Sequence, residues 1–147
     1  MAVIYNLYRD LVQTHEKDIN FWILTSFLPT FIIERVNSHL FPQMFVNVGG
    51  VHIHHLTWGI FVLAISGFLS FSAKTRKEKV ILAIFFGIGL ALAFDEFGMW
   101  LRLADDYWVR QSYDAMITIS VFLINIVYFF HFWKHLVLHI VLRQKVS

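Results

Sequence analysis

The sequence contains no cysteine. Disulfides, thiolate metal sites and cysteine nucleophiles are therefore excluded. Charge is also scarce: only 15% of the residues are Asp, Glu, Lys or Arg, where a soluble domain carries about 25%. There is no Gly-rich phosphate loop, no H-E-x-x-H metalloprotease motif and no Glu-x-x-His of the kind that builds di-iron bundles. The opening stretch MAVIYNLYRDLVQTHEKD lacks the basic start, apolar run and small cleavage residues of a signal peptide. The first apolar segment is thus expected to act as an uncleaved anchor.

What is present is apolar surface. The chain has 147 residues, of which 58% are hydrophobic and 18% aromatic. A chain of this length cannot hide so much apolar surface inside one water-soluble core, so lipid is the expected solvent for many side chains. The expected fold class is all-α: a polytopic transmembrane helical bundle of about four spans in a single domain, residues 1–147. An N-terminal amphipathic helix over residues 2–17 precedes it, with Ile4, Leu7, Tyr8, Leu11 and Val12 at helical spacing. The spans are expected at about 19–35, 52–73, 79–103 and 114–142. Pro29 is expected to kink the first, which Glu34 and Arg35 end. Small residues in the third (Gly87, Gly89, Ala91, Ala93) permit close helix approach in lipid. Trp22, Trp58, Trp100, Tyr107 and Trp108 fall near predicted interfaces, as aromatic belts do.

Topology follows from Lys and Arg. Arg9, Lys17, Lys74, Arg76, Lys77, Lys79, Lys134, Arg143 and Lys145 gather on one side, and Arg35, Arg102 and Arg110 on the other. The positive-inside rule makes the first side cytoplasmic. Four spans then place both termini in the cytoplasm of a multi-pass plasma (inner) membrane protein. The basic turn 74–79 is too short to suggest nucleic acid but suits anionic lipid headgroups.

The polar residues can now be given depths. Asp95 follows Lys79 by 16 residues, roughly 24 Å along a helix, so Asp95 and Glu96 lie inside the outer boundary of a hydrocarbon core about 30 Å thick. His52, His54 and His55 open the second span at that same end, and Glu34, His39, Asp105, Asp106 and Asp114 also fall on that side. Intramembrane carboxylates are costly and normally face protein or a water-filled cavity. On a helix His52 and His55 would share a face while His54 projects elsewhere, and Asp95 and Glu96 would point about 100° apart.

Three readings of this cluster stay open. The first is a divalent-metal site for zinc, iron or manganese with His52, His55 and Asp95 as ligands and His54 as a further candidate. The second is an enzyme on the same site: the metal activates a water, Glu96 acts as general base, and a lipid-like substrate is hydrolysed. The third is a structural or partner subunit in which Asp95 or Glu96 pairs with Arg35, Arg102 or a histidine and only locks the bundle. His131, His135 and His139 recur every four residues on the last span, near the inner boundary. Their plainer reading is interfacial. A haem is disfavoured, because no facing span offers a histidine at that depth. Ser66 and Ser70 have no His and Asp arrangement nearby, so no serine nucleophile is expected.

Two stretches carry a resemblance. VHIHHLTWGI and LALAFDEFGMWLRLADDYWVRQSYDA, about 36 residues together, resemble a family of small bacterial integral membrane proteins. That family pairs a V-H-I-H-H-x-x-x-G-I stretch opening one span with an L-D-E-F-x-x-W-L-x-L-x-D-x-Y-W stretch closing the next. Phe94 stands here where the family often has leucine, and Arg102 interrupts the pattern with a cation. The resemblance implies a bacterial membrane protein in which His52, His54 and His55 accompany Asp95 and Glu96. It implies no reaction.

Overall fold

The computed structural model describes residues 5–6, 12, 18–41, 46–48, 51–103 and 110–144; at 46–48, 51–53, 131 and 135–144 it describes the backbone. The amphipathic helix expected over 2–17, apart from Tyr5, Asn6 and Val12, and the loop residues Asp105, Asp106, Tyr107 and Trp108 lie outside the described residues. So do the side chains of His52, His131, His135 and His139.

The fold is helical apart from one short hairpin among the described residues. The elements are α1 (Ile19–Leu40), β1 (Val46–Val48), β2 (Val51–Ile53), α2 (His55–Ser70), α3 (Arg76–Asp95), α4 (Phe97–Arg102) and α5 (Arg110–Gln144). Helix α3 packs against both α1 and α2, and α1 in turn against α5. The core joins Phe21, Leu24 and Phe27 of α1 to Ala91 of α3 and Met116, Leu123 and Val127 of α5.

Helix α1 runs 22 residues, about 33 Å, and corrects the expected end at Arg35. Glu34 and Arg35 do not terminate it, because both find partners on neighbouring helices. The helix closes where the Phe41 amide donates to the Asn37 carbonyl at 2.7 Å. Its hydroxyls turn inward on the chain: Ser26 donates to the Trp22 carbonyl at 2.9 Å and Thr30 to the Ser26 carbonyl at 2.8 Å. This is how a hydroxyl is satisfied on an apolar helix.

The second span is corrected at its start. Val51–Ile53 pairs antiparallel with Val46–Val48, in the register Val46 with Ile53, Asn47 with His52 and Val48 with Val51. β-branched residues favour the strand, and only Gly49-Gly50 separates the two strands, the length of a tight hairpin. His52 therefore lies on a strand and shares no helix face with His55. Helix α2 has 16 residues, about 24 Å.

The third span is corrected at its end. A capping box opens α3: the Glu78 amide donates to Thr75 Oγ1 at 3.2 Å, and the Thr75 amide to Glu78 Oε2 at 3.1 Å. The helix stops at Asp95, because Glu96 takes φ −101°, ψ 19°, and α4 starts afresh at Phe97. Helix α5 has 35 residues, about 52 Å, and so outruns the expected 114–142.

Close approach explains the small residues. A Cβ on Gly59 would lie 2.5 Å from the Ala93 amide nitrogen, and one on Gly89 would lie 2.8 Å from the Leu63 nitrogen, so α2 and α3 touch backbone to backbone. Gly87 serves the other face, where a Cβ would clash with the Ile23 carbonyl oxygen of α1. Two helices, Ile19–Leu40 and the Arg110–Phe130 part of α5, are long and apolar enough to cross a membrane. That is compatible with membrane insertion. Large apolar side chains also face outward from α2 and α5, among them Phe61, Ile65, Phe68, Ile117 and Phe122.

Candidate functional site

The polar residues at one end of the bundle form a closed ring built from three consecutive-residue pairs. Helix α1 supplies Glu34 and Arg35, the start of α2 supplies His54 and His55, and the end of α3 supplies Asp95 and Glu96. Glu34 and Arg35 diverge by about 100° as neighbours on a helix, whereas His54 and Glu96 diverge from their neighbours because each sits at a helix end outside helical geometry, so each pair reaches both of the other helices.

Arg35 and Asp95 make the first link. Arg35 Nε lies 2.6 Å from Asp95 Oδ1, with the side chains 10% and 0% exposed. Arg35 Nη2 also donates to the Asp95 main-chain carbonyl at 2.7 Å. That carbonyl belongs to the last turn of α3, where helix carbonyls lack internal donors and a cation is favoured. The guanidinium also lies against Phe31 and Tyr113, 5.6 and 4.5 Å from the ring centroids, which brings α5 to the same point. Buried charge is costly unless it is paired, and here the guanidinium meets both the Asp95 carboxylate and the Asp95 main-chain carbonyl.

Glu96 makes the second link. Its Oε2 accepts from the Leu56 amide at 2.8 Å, and its Oε1 lies 3.3 Å from His54 Nδ1. Leu56 is the second residue of α2, and the His54 side chain makes no capping bond of its own. The first amides of a helix have no internal acceptor and attract negative charge. Glu96 therefore caps α2 from another helix while remaining 3% exposed. Its break from helical geometry separates it from Asp95 and aims it at α2.

His55 and Glu34 close the ring, with Nδ1 and Oε2 3.7 Å apart and both side chains partly exposed. One cap of the same kind lies beside it: the Gly98 amide of α4 donates to the fully buried Ser112 Oγ of α5 at 2.9 Å. Phe94, Phe97 and Trp100 pack together under this corner, their centroids 5.6 to 5.8 Å apart.

The expected ligands are thus distributed among different partners. Asp95 meets Arg35, His54 meets Glu96, His55 faces Glu34, and His52 sits on β2. Among the described residues no three His, Asp or Glu side chains converge on one point. Glu96, the expected general base, has both carboxylate oxygens engaged. Glu34 and Ser112 were not singled out from the sequence as members of a site. For Glu34 the signal was available, since it follows the same pattern of adjacent polar residues at matching depth. For Ser112 nothing local distinguished it. Compared with protein-family profiles, curated proteins and solved structures, the chain finds no match.

Proposed function

We propose that this chain is a four-span membrane protein whose ring of polar pairs locks α1, α2 and α3 at the outer membrane face, as a structural or partner subunit. The spans in this reading are α1, α2, Lys79–Asp95 with α4 at its outer end, and the apolar part of α5, with both termini cytoplasmic. The observation that carries the reading is that adjacent residues tie α3 to both neighbours, Asp95 to Arg35 of α1 and Glu96 to the start of α2, while His55 of α2 faces Glu34 of α1 at 3.7 Å. Support for lipid as solvent comes from the two long apolar helices, of whose most apolar windows only 17% is buried. A soluble protein's core helix would be mostly buried.

Two measurements test this. The native chain has no cysteine, so single cysteines can be introduced without background. Asn37→Cys should react with an impermeant maleimide from outside intact cells and Ser72→Cys only after permeabilisation. Labelling of both from the same side rejects the topology. The lock is tested by a double-mutant cycle on Arg35 and Asp95 in detergent; independent, additive effects reject it.

One observation favours a second reading, the divalent-metal site. His55 Nδ1 is buried without a hydrogen-bond partner, facing the Glu34 carboxylate. A nitrogen and a carboxylate oxygen set apart in this way supply two of the three or four donors that zinc, iron or manganese takes from protein. Elemental analysis of protein purified without added metal, with His55→Ala beside it, decides between the two: stoichiometric metal lost in the variant replaces the lock reading. The hydrolase reading rests on the same metal and falls with it.

A further inference from the structure

At the opposite end of the three-helix body lies a groove of about 300 Å³, lined by Ile19 and Ile23 of α1, Ser66 and Ser70 of α2, and Lys79, Leu82, Ala83 and Phe86 of α3. We propose that this groove binds an anionic phospholipid, with one acyl chain between the helices and the phosphate on Lys79 and the turn before it.

The lining is apolar along its length and cationic at its rim. Lys79 is exposed there, and Lys74, Arg76 and Lys77 lie within five residues of it. Glu78, the one carboxylate in this turn, does not compete for Lys74, Lys77 or Lys79. Glu78 accepts from the Lys74 and Thr75 amides at 2.8 and 3.1 Å, so its charge is spent on the helix cap. The serines do not supply free donors either: Ser66 donates to the Val62 carbonyl and Ser70 to the Gly67 carbonyl, each at 2.6 Å. Recognition of the headgroup therefore falls to the cations, and charge complementarity selects an anionic lipid over a zwitterionic one. Clustered Lys and Arg beside a membrane helix attract such lipids at about five-fold per residue. None of the residues that line the groove belongs to the polar ring, so its occupation requires no rearrangement there.

The inference rests on the membrane reading above, but it fails separately: same-side cysteine labelling defeats that reading, whereas lipid retention tests this one. Full-length protein in a neutral detergent is mixed with dioleoylphosphatidylglycerol or dioleoylphosphatidylcholine, which share acyl chains, and bound lipid is counted by native mass spectrometry. The glycerol lipid should be retained at least about five-fold better. Lys79→Gln, at an exposed position, should reduce that preference about five-fold. Ser70→Trp, which fills the groove from an exposed position, should reduce retention of both lipids, while free glycerol phosphate should displace neither. Equal retention of the two lipids overturns the proposal. So does a Lys79→Gln variant with undiminished preference, displacement by free glycerol phosphate, or a folded Ser70→Trp variant that keeps its lipid.

Discussion

The two ends of α3 satisfy their unpaired groups in opposite ways. At its N-terminal end Thr75 and Glu78 cap their own helix within four residues, both exposed. At its C-terminal end Asp95 and Glu96 serve other helices: one holds Arg35 of α1, the other caps α2. The N-terminal end of α3 is self-sufficient: its cap is complete within the helix itself. The C-terminal end is complete only when three helices are assembled. A carboxylate near water can be spent on local order, whereas a buried one must be matched by a partner from elsewhere in the fold.

The largest expected effect lies at the buried end. Asp95→Ala leaves Arg35 enclosed without its carboxylate and should destabilise the folded protein by about 3–5 kcal/mol, read from thermal unfolding in detergent. Arg35→Met in the same chain should recover most of that loss, since no uncompensated charge remains. If the double variant is no more stable than Asp95→Ala alone, Asp95 acts through something other than Arg35.

The seam between the two ends comes next. Gly59→Ala drives a Cβ into the Ala93 backbone, so α2 must move away from α3. Such overpacking costs about 1–3 kcal/mol, and it should also lengthen the reach from Glu96 to Leu56. Gly67→Ala is the control on the same helix. Its Cβ would meet only Phe86, at an ordinary 3.9 Å, and alanine's better helix propensity should leave stability equal or slightly higher. Equal losses at both positions would mean that the close contact does not set the helix spacing. Glu96→Gln follows, removing charge from the α2 cap and from the contact with His54 while keeping one acceptor. A loss of about 1–3 kcal/mol is expected, and a variant as stable as the parent would remove Glu96 from the ring.

How far the sequence foretold this depended on the range of the interaction. Helical character and the clustering of His and carboxylate residues at one end of the bundle follow from spacing and hydropathy, which are local. The hairpin was missed because V-H-I read as the start of an apolar run, when its two-residue alternation and the preceding Gly-Gly were the stronger signals. The break at Glu96 was missed because nothing around it disfavours helix. Only the Leu56 amide and His54, some 40 residues away in sequence, give that backbone a reason to turn. The same limit hid the division of the ring, since depth along a helix can be read from a sequence while the choice among partners at equal depth cannot.

The smallest effects are expected at the self-sufficient end. Thr75→Ala removes the cap acceptor and should cost about 1 kcal/mol, without weakening any contact of the ring. The Glu78 carboxyl is held below its ordinary value, first by the Thr75 amide and then by the Lys74 amide. Because its folded value is lowered, its contribution is complete above the ordinary carboxylate value and is lost as pH falls through the folded one. The parent and a Glu78→Gln variant should therefore differ by a constant amount at neutral pH and converge only on acidification. Unfolding curves collected from neutral to acid pH read this directly. A gap that widens toward acid would show that the Glu78 carboxylate opposes folding at neutral pH, and the N-terminal end would then no longer be the place where α3 supports itself.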